Sequence, residues 1–267
     1  MNDETVTLHD VTIGYRLRHG QRVVAGHIEA AIGGGQLTCL LGENGVGKST
    51  LLRTLSAFQP VLGGDISVMG RRLADYSDQE LARTVGVVLT ERPDVQQMTV
   101  GEMVAMGRSP YTGFWGRLGA DDEAVCREAI GLVGIESLTS RQVTTLSDGE
   151  RQKVMIAKAL AQQTSIIFLD EPTAFLDYPT KVDTLLLLRR ISREQGKTVF
   201  LSTHDLELAL QVADVAWLME RGGRLTIGTP RELSQEGVLT RFVERTAGVS
   251  FDADSMSVRV REDAVAW

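Results

Sequence analysis

One short stretch, GENGVGKS at positions 42–49, constrains the fold of this chain more than any other part of the sequence. It matches the pattern G-x-x-x-x-G-K-[ST] and lies between the apolar run LTCLL and the amphipathic stretch KSTLLRTL. In such a loop the backbone N–H groups, together with the positive end of the following helix, point at phosphate oxygens. Its position between a strand and a helix therefore predicts a phosphate-binding loop in an α/β fold.

The residues of this loop have predicted roles in a nucleotide site. Lys48 is expected to reach the β and γ phosphates, and the hydroxyl of Ser49 is expected to hold Mg²⁺. The glycines allow the backbone to curl closely around the phosphates. The predicted nucleotide contacts in this part of the chain are Gly42, Glu43, Asn44, Gly45, Val46, Gly47, Lys48, Ser49 and Thr50.

A second stretch, SIIFLDEP, places two acids at the end of an apolar strand. Ligands bind at the carboxyl edge of a parallel sheet, so Asp170 is expected to hold Mg²⁺ there. Because successive residues leaving a strand point in different directions, Glu171 can face an attacking water as a general base. An acidic strand end alone is more often a solvated turn, but the phosphate loop in the same chain favours the metal site.

Size and composition exclude several classes of protein. The chain has 267 residues, of which 43% are hydrophobic, and this is enough for a globular core. A net charge of -7 argues against a nucleic-acid binder, which needs a basic face. The N-terminus lacks a signal-peptide pattern, and no apolar run approaches the ~20 residues that cross a bilayer. We expect a soluble, cytoplasmic protein in which Cys39 and Cys126 are unpaired and packed in the interior.

Hydrophobic patterning divides the rest of the chain into three parts. Alternating apolar residues from position 5 to 41 predict a β-rich N-terminal part, and three amphipathic helical patterns between about 94 and 163 indicate a helical insertion. The runs SIIFLDEP and TVFLSTHD, separated by a helical stretch, are typical of buried parallel strands. We predict an α/β core with a mostly parallel sheet flanked by helices, an N-terminal antiparallel β subdomain and the helical insertion.

Patterning weakens towards the C-terminus. The pair Gly222-Gly223 predicts a hairpin, and we take residues 1–245 as one domain and 246–267 as a tail. The tail stretch SMSVRVRE fits either an added edge strand or a segment without order.

Taken in order, these motifs resemble the ATP-binding subunits of ABC transporters over residues 4–235, which are P-loop NTPases. The resemblance implies ATP and Mg²⁺ as cofactors. It also implies that two copies bind ATP head to tail, with the signature loop of one chain on the γ phosphate held by the other. The residues it implies outside the phosphate loop are Tyr15 on the adenine, the acidic pair Asp170 and Glu171, the signature Ser147, Asp148, Gly149 and Glu150, Asp177 in the D-loop, and the switch histidine His204 on the γ phosphate.

The chain departs from the family pattern at the end of the strand before the insertion. The family has a glutamine there that senses Mg²⁺ and the membrane partner, whereas this sequence has Thr90 or Glu91, depending on one gap. A carboxylate oxygen can replace an amide oxygen as a ligand, so Glu91 remains a candidate for Mg²⁺. Gln96 and Gln97 lie too far along the chain to take this place.

The signature departs as well, since LSDGE stands in place of LSGGQ and brings acids towards a phosphate. The pattern S-x-x-E is a capping box, and both carboxylates favour the positive end of the helix dipole, so helix stability alone accounts for Asp148 and Glu150. A carboxylate ~4 Å from a phosphate charge would cost about 4 kcal/mol at an effective dielectric near 20. Asp148 could point away while Ser147 and the Gly149 N–H meet the phosphate, which we favour; Arg151 or Lys153 could neutralise it; or the site could be degenerate.

The insertion suggests what the ATPase would power. Its string MTVGEMVAMGRSPYTGFWGRL is similar to that of importer subunits for ferric siderophores, haem and cobalamin. The resemblance implies integral membrane permease subunits as partners, a substrate-binding protein as an indirect partner, and peripheral attachment to the cytoplasmic face of the inner membrane. Each of Tyr111, Phe114 and Trp115 could pack under the insertion, but as a cluster they resemble a partly exposed docking surface more.

Other classes of protein share parts of this pattern. A GTPase would need an Asn-Lys-x-Asp base reader, and the only asparagines are Asn2 and Asn44, which excludes that class. A soluble ABC ATPase without a transport role shares every catalytic motif, and only the insertion argues against it. A regulatory subunit without ATPase activity is disfavoured because Lys48, Asp170, Glu171 and His204 are all present.

Overall fold

The structure is a computed structural model that describes residues 4–90, 97–113, 116–246 and 248–261. These residues form two sheets, a separate hairpin, and helices that cover them. The strands are β1 (Glu4–Arg16), β2 (Gln21–Gly33), β3 (Leu37–Leu41), β4 (Gly63–Val68), β5 (Arg71–Arg72), β6 (Val85–Val88), β7 (Ile166–Asp170), β8 (Thr198–Thr203), β9 (Val215–Met219), β10 (Leu225–Gly228), β11 (Val249–Asp252) and β12 (Ser257–Val260). The helices are α1 (Lys48–Leu55), α2 (Asp78–Thr84), α3 (Val100–Ala105), α4 (Ala120–Val133), α5 (Asp148–Ala161), α6 (Tyr178–Gln195), α7 (Leu206–Val212), α8 (Pro230–Gln235) and α9 (Val238–Val243).

The larger sheet carries the phosphate loop. Its strands lie in the order β10-β9-β3-β8-β7-β6, and all neighbours are parallel except the hairpin pair β9 and β10. Strands β3, β7 and β8 are buried along their whole length, which explains why their sequences are apolar without alternation. The predicted parallel core is confirmed.

The two faces of this sheet pack against different layers. On one face, Leu40, Phe168, Phe200 and Trp217 join α1 and the N-terminal strands in one hydrophobic cluster, with neighbouring aromatic rings edge to face. On the other face, Cys39 and alternate strand residues pack against α3 to α7. Because side chains alternate along a strand, a fully apolar strand supplies both layers.

The N-terminal sheet is antiparallel, as predicted, in the order β2-β1-β4-β5. The insertion also has the predicted helices α3, α4 and α5, and α3 and α5 begin with capping boxes headed by Thr99 and Ser147.

Tyr111 packs between this insertion and α2. Its ring lies 4.0 Å from the Cζ atom of Arg108 and 5.0 Å from that of Arg83, while its hydroxyl donates to the Gln162 carbonyl at 3.0 Å. These contacts show that Tyr111 packs between the insertion and α2 instead of forming part of a docking surface. Phe114 and Trp115 lie outside the described residues.

The C-terminal part contains two hairpins. The predicted turn joins β9 to β10, with Gly222 and Gly223 at φ 86° and 82°. The tail forms neither an edge strand of the large sheet nor an unordered segment in its described part. Strands β11 and β12 pair with each other instead, and the N–H of Val258 donates to Oε1 of Glu207 at the start of α7.

Two further expectations concern the interior and the membrane. Both cysteines are free and buried, as predicted, and burial raises the pKa of the Cys39 thiol to about 12. Among the helices of the described residues, none combines the length and the apolar character that a membrane span requires.

Candidate functional site

The candidate site lies where the carboxyl ends of three central strands meet. Parallel pairing aligns Leu41 at the end of β3 with Thr203 at the end of β8, and aligns Asp170 at the end of β7 with Ser202. The phosphate loop, the acidic pair and His204 follow these three ends directly. Strand register therefore brings together residues that are up to about 160 positions apart in the sequence.

The loop glycines are required by close contacts. A β-carbon on Gly42 would lie 2.5 Å from the Met219 carbonyl oxygen. A β-carbon on Gly47, which has φ 119°, would lie 2.4 Å from Cγ1 of Val24. The loop thus fits tightly between β9 and β2, and this packing holds its backbone in the curled form that directs N–H groups at an anion.

Lys48 begins α1 and is only 4% exposed. Its Nζ donates to the carbonyl oxygens of Gly42 at 2.8 Å and Glu43 at 3.2 Å, and lies 3.5 Å from Oε1 of Glu171. Because a buried ammonium must keep partners, phosphate oxygens can take over only by displacing some of these contacts.

Ser49 and Asp170 approach each other at the base of the site. The Ser49 hydroxyl donates to Oδ1 of the buried Asp170 at 3.0 Å, and the Ser202 hydroxyl donates to the same oxygen at 2.6 Å. A hydroxyl and a carboxylate are the hard oxygen ligands that Mg²⁺ prefers, and Mg²⁺ bound with a nucleotide uses only one or two protein ligands. Within the described parts of the chain no cluster of three His, Cys, Asp or Glu could hold a metal by itself. The residues present therefore fit an ion that is shared with a nucleotide.

Glu171 is held in a strained conformation beside His204. Its φ of 47° is in the left-handed region, which glutamate rarely adopts. Its N–H donates to the Ser202 hydroxyl at 2.9 Å, and its Oε2 lies 3.1 Å from Nδ1 of His204. Ser202 therefore joins both acids, a role that no sequence motif had indicated.

An open cavity of about 500 Å³ lies over the loop. Tyr15, which is 46% exposed, reaches it from β1, and its hydroxyl shares a 2.9 Å hydrogen bond with Oγ1 of Thr50. The loop residues and a glutamate carboxylate meet in one space with an aromatic ring at its rim. The lining residues are Tyr15, Arg22, Val24, Asn44, Gly45, Gly47, Lys48, Ser49, Thr50 and Glu171. The structure thus brings Tyr15, Ser49 and most of the predicted phosphate contacts to one cavity. Gly42, Glu43, Val46 and His204 line a second cavity, and Asp170 lines neither but accepts a hydrogen bond from Ser49.

The position of the missing glutamine is only half described. The Thr90 hydroxyl donates to the Asp170 carbonyl oxygen at 2.7 Å, which ties the segment after β6 to the acidic pair. Glu91 lies outside the described residues, so its candidacy as a metal ligand stays a prediction.

The signature loop lies apart from this cavity, whose lining includes none of its four residues. The predicted capping box is confirmed: the N–H of Glu150 donates to the Ser147 hydroxyl, and the Glu150 carboxylate accepts from the Ser147 N–H at 2.8 Å. These bonds, with Arg141 nearby, hold the pKa of Glu150 below its usual value. The Nη1 atom of Arg141 lies 3.3 Å from Oε1 of Glu150.

The signature tip and the D-loop pack together within the chain. A β-carbon on Gly149 would lie 2.6 Å from Cγ2 of Thr180 in the first turn of α6. Asp177 caps that helix by accepting from the Thr180 N–H at 3.1 Å. In one chain, the signature is therefore joined to the D-loop and separated from the phosphate loop.

Comparison with known proteins identifies the family. The sequence model of the ABC transporter family matches residues 26–174. The chain is 36% identical over 239 residues to the ferric enterobactin transport ATP-binding protein FepC of Escherichia coli, covering 90% of this chain and 85% of FepC. It is 32% identical over 249 residues to the iron(3+)-hydroxamate import ATP-binding protein FhuC of Bacillus subtilis, covering 93% and 91% respectively.

A solved structure agrees with this result. The dimeric ATP-binding cassette MJ0796, in a post-hydrolysis state bound to ADP and Pi, superimposes with a TM-score of 0.73 at 25% identity. The match covers 84% of this chain and 98% of that one. With the family match and two relatives above 30% identity over most of their length, the chain belongs to the ABC transporter family as one of its ATP-binding, ATP-hydrolysing cassettes.

Proposed function

We propose that this chain binds Mg-ATP in the cavity over the phosphate loop and hydrolyses it to power an importer for iron-siderophore, haem or cobalamin-type cargo. The observation that carries the catalytic part is the cluster at the sheet edge. Glu171 lies between two partners, with Nζ of Lys48 3.5 Å from its Oε1 and Nδ1 of His204 3.1 Å from its Oε2, and Ser202 joins Glu171 to Asp170. Residues 1–245 act as the ATP-binding unit in this proposal.

Ser49 and Asp170 would hold the Mg²⁺ ion through their side-chain oxygens. Mg²⁺ neutralises charge on the β and γ phosphates and so supports cleavage of the bond between them. Ser202 and Ser49 both donate to Asp170, so its carboxylate is oriented before nucleotide arrives. Such preorganisation lowers the cost of placing charge in the reaction.

Glu171 would orient the attacking water and accept its proton, while His204 would contact the γ phosphate. In the free protein, Glu171 accepts from both sides, with Lys48 at one carboxylate oxygen and His204 at the other. When Lys48 turns to the phosphates, one oxygen of Glu171 becomes available to water. Binding of the nucleotide would thus free the Glu171 carboxylate to act as the general base.

Two chains would be needed for a complete site, because the signature of this chain does not line its own cavity. In a head-to-tail pair, Ser147 and the Gly149 N–H would meet the γ phosphate held by the other copy. Glu150 is already engaged with Ser147 and Arg141, so we propose that Asp148 also serves the helix rather than the phosphate. On this proposal Asp148→Gly changes turnover by less than about tenfold, whereas a gain of orders of magnitude would identify Asp148 as a brake.

The transport role rests on the relatives. FepC is named for ferric enterobactin transport and FhuC for iron(3+)-hydroxamate import, and both align over more than four fifths of their length. We propose that the chain attaches peripherally to the cytoplasmic face of the membrane through integral permease subunits. A separate substrate-binding protein would select the cargo, and nucleic acid is not a partner at a net charge of -7.

The decisive experiment is Mg-ATP hydrolysis measured against protein concentration, with Glu171→Gln as the inactive control. A rate that rises faster than linearly and disappears in Glu171→Gln supports a site made from two chains. A rate that is linear in concentration contradicts the two-chain site. Omission of Mg²⁺ should abolish ATP hydrolysis without abolishing nucleotide binding. ATP hydrolysis measured with the permease subunits in membranes tests the coupling to transport.

A further inference from the structure

Arg22 lines the nucleotide cavity, although no motif assigns it a role. It lies in β2, directly opposite Tyr15 in β1. Residues that face each other across an antiparallel pair project their side chains from the same face of the sheet. Arg22 therefore lies beside Tyr15, on the face that reaches the cavity.

Val24 fixes the position of this face against the phosphate loop. A β-carbon on Gly47 would lie 2.4 Å from Cγ1 of Val24, so β2 contacts the loop directly at this point. Arg22 is two residues away on the same strand, and both residues line the cavity. Arg22 therefore borders the cavity on the side of Tyr15.

The charge of Arg22 is available to a ligand. Lys48, the other cation of the cavity, is buried and engaged with Gly42 and Glu171. Arg22 is exposed, and no carboxylate pairs with it among residues 4–90, 97–113, 116–246 and 248–261. An unpaired guanidinium on the wall of a phosphate-binding cavity favours an anionic ligand, which its planar fork can bind through two hydrogen bonds.

We propose that Arg22 binds the α phosphate of the nucleotide. This inference rests on the proposed site, in which Tyr15 takes the adenine while Lys48 and the loop amides take the β and γ phosphates. The α phosphate joins these two ends, and Arg22 lines the cavity that Tyr15 and the loop share. Arg22 is thus a nucleotide-positioning residue that recognises charge rather than the base.

Calorimetric titration of the full chain distinguishes binding of the phosphates from binding of the adenine base. The protein forms would be wild type, Arg22→Ala, Arg22→Lys and Arg16→Ala. Arg16 is the matched control, because it is an exposed arginine on the same hairpin that does not line the cavity. The ligands would be Mg-ADP, inorganic triphosphate and adenosine, with weak ligands measured by displacement of a fluorescent ADP analogue.

Arg22→Ala should weaken ADP and inorganic triphosphate by about three- to tenfold and leave adenosine unchanged. Arg22→Lys should recover part of the loss, and Arg16→Ala should change each affinity by less than about twofold. An equal loss for adenosine, or equal effects of Arg22→Ala and Arg16→Ala, would overturn the inference while leaving the nucleotide site intact. Wild-type protein that binds no ADP would overturn the nucleotide site itself, and the role of Arg22 with it.

Discussion

The hydroxyl of Ser202 lies 2.6 Å from Oδ1 of Asp170, and the same hydroxyl accepts from the backbone N–H of Glu171 at 2.9 Å. One buried side chain on β8 therefore orients the proposed metal ligand, which ends β7, and the proposed general base, which follows it. Neither acid could keep its position independently of the neighbouring strand. The catalytic edge depends on strand pairing as much as on the motif residues themselves.

We expect Ser202→Ala to lower the rate of ATP hydrolysis by about tenfold or more, with a smaller effect on ADP affinity. The substitution leaves the Glu171 N–H without its acceptor and should cost about 1–3 kcal/mol of unfolding free energy. Steady-state kinetics and urea unfolding measure the two effects. Ser192→Ala is the matched control, because Ser192 is also a buried serine. Its hydroxyl donates to the Arg189 carbonyl, away from the two acids. Similar catalytic losses in both variants would contradict the positioning role.

The contact between Gly149 and Thr180 predicts a compensating pair of substitutions. Gly149→Ala places a methyl group where only 2.6 Å is available to Cγ2 of Thr180, so we expect a loss of about 1–3 kcal/mol and reduced turnover. Thr180→Ser removes that methyl group while its N–H still donates to Asp177. The double variant should regain most of the loss, and a double-mutant cycle from thermal unfolding and turnover would show it. Additive effects would mean that the two residues act independently.

The phosphate loop and the acidic strand end could be predicted from sequence because their signals are local. A strand, a glycine-rich turn and a helix follow each other within about 20 residues, and Asp170 and Glu171 end an apolar run. Ser202, Arg141 and Arg22 could not be found in this way. Their importance depends on which residues lie opposite them after folding, and a serine in a strand or an arginine in a hairpin carries no motif of its own.

The tail and the aromatic insertion show a second limit of sequence patterns. The alternation in SMSVRVRE was compatible with an added edge strand and with a segment without order, whereas the strand that forms there pairs with the adjacent β11. Tyr111 looked equally suited to docking and to packing. Only the positions of Arg83 and Arg108 around its ring show that it connects the insertion to α2.

Tyr111 is therefore expected to stabilise the junction between the insertion and the core. Tyr111→Ala removes the ring that both guanidinium groups contact and should cost about 2 kcal/mol. Tyr111→Phe keeps the ring but loses the bond to the Gln162 carbonyl, so a cost of about 1 kcal/mol is expected. Urea unfolding gives both values, and hydrogen exchange of α2 and α5 should show faster local opening in Tyr111→Ala alone. An unchanged exchange pattern would contradict a junction role.

Helix capping predicts a dependence of stability on pH. The bond from Arg71, followed by bonds from Ser77, lowers the pKa of Glu80 from 4.5 to about 2. Because the folded pKa is the lower one, the contribution of Glu80 is fully present above the unfolded pKa and is lost as pH falls towards 2. The difference in unfolding free energy between wild type and Glu80→Gln should therefore shrink steadily from pH 5 to pH 3.

Urea unfolding at pH 7, 5, 4 and 3 measures this difference for Glu80→Gln. The side chains of Arg71 and Glu80 are largely exposed, so added salt should screen their attraction and reduce the difference at pH 7. The neutral hydrogen bond of the cap, from the Glu80 N–H to the Ser77 hydroxyl, should persist in salt. A difference that is constant from pH 7 to pH 3 would contradict a contribution of the Glu80 charge to stability.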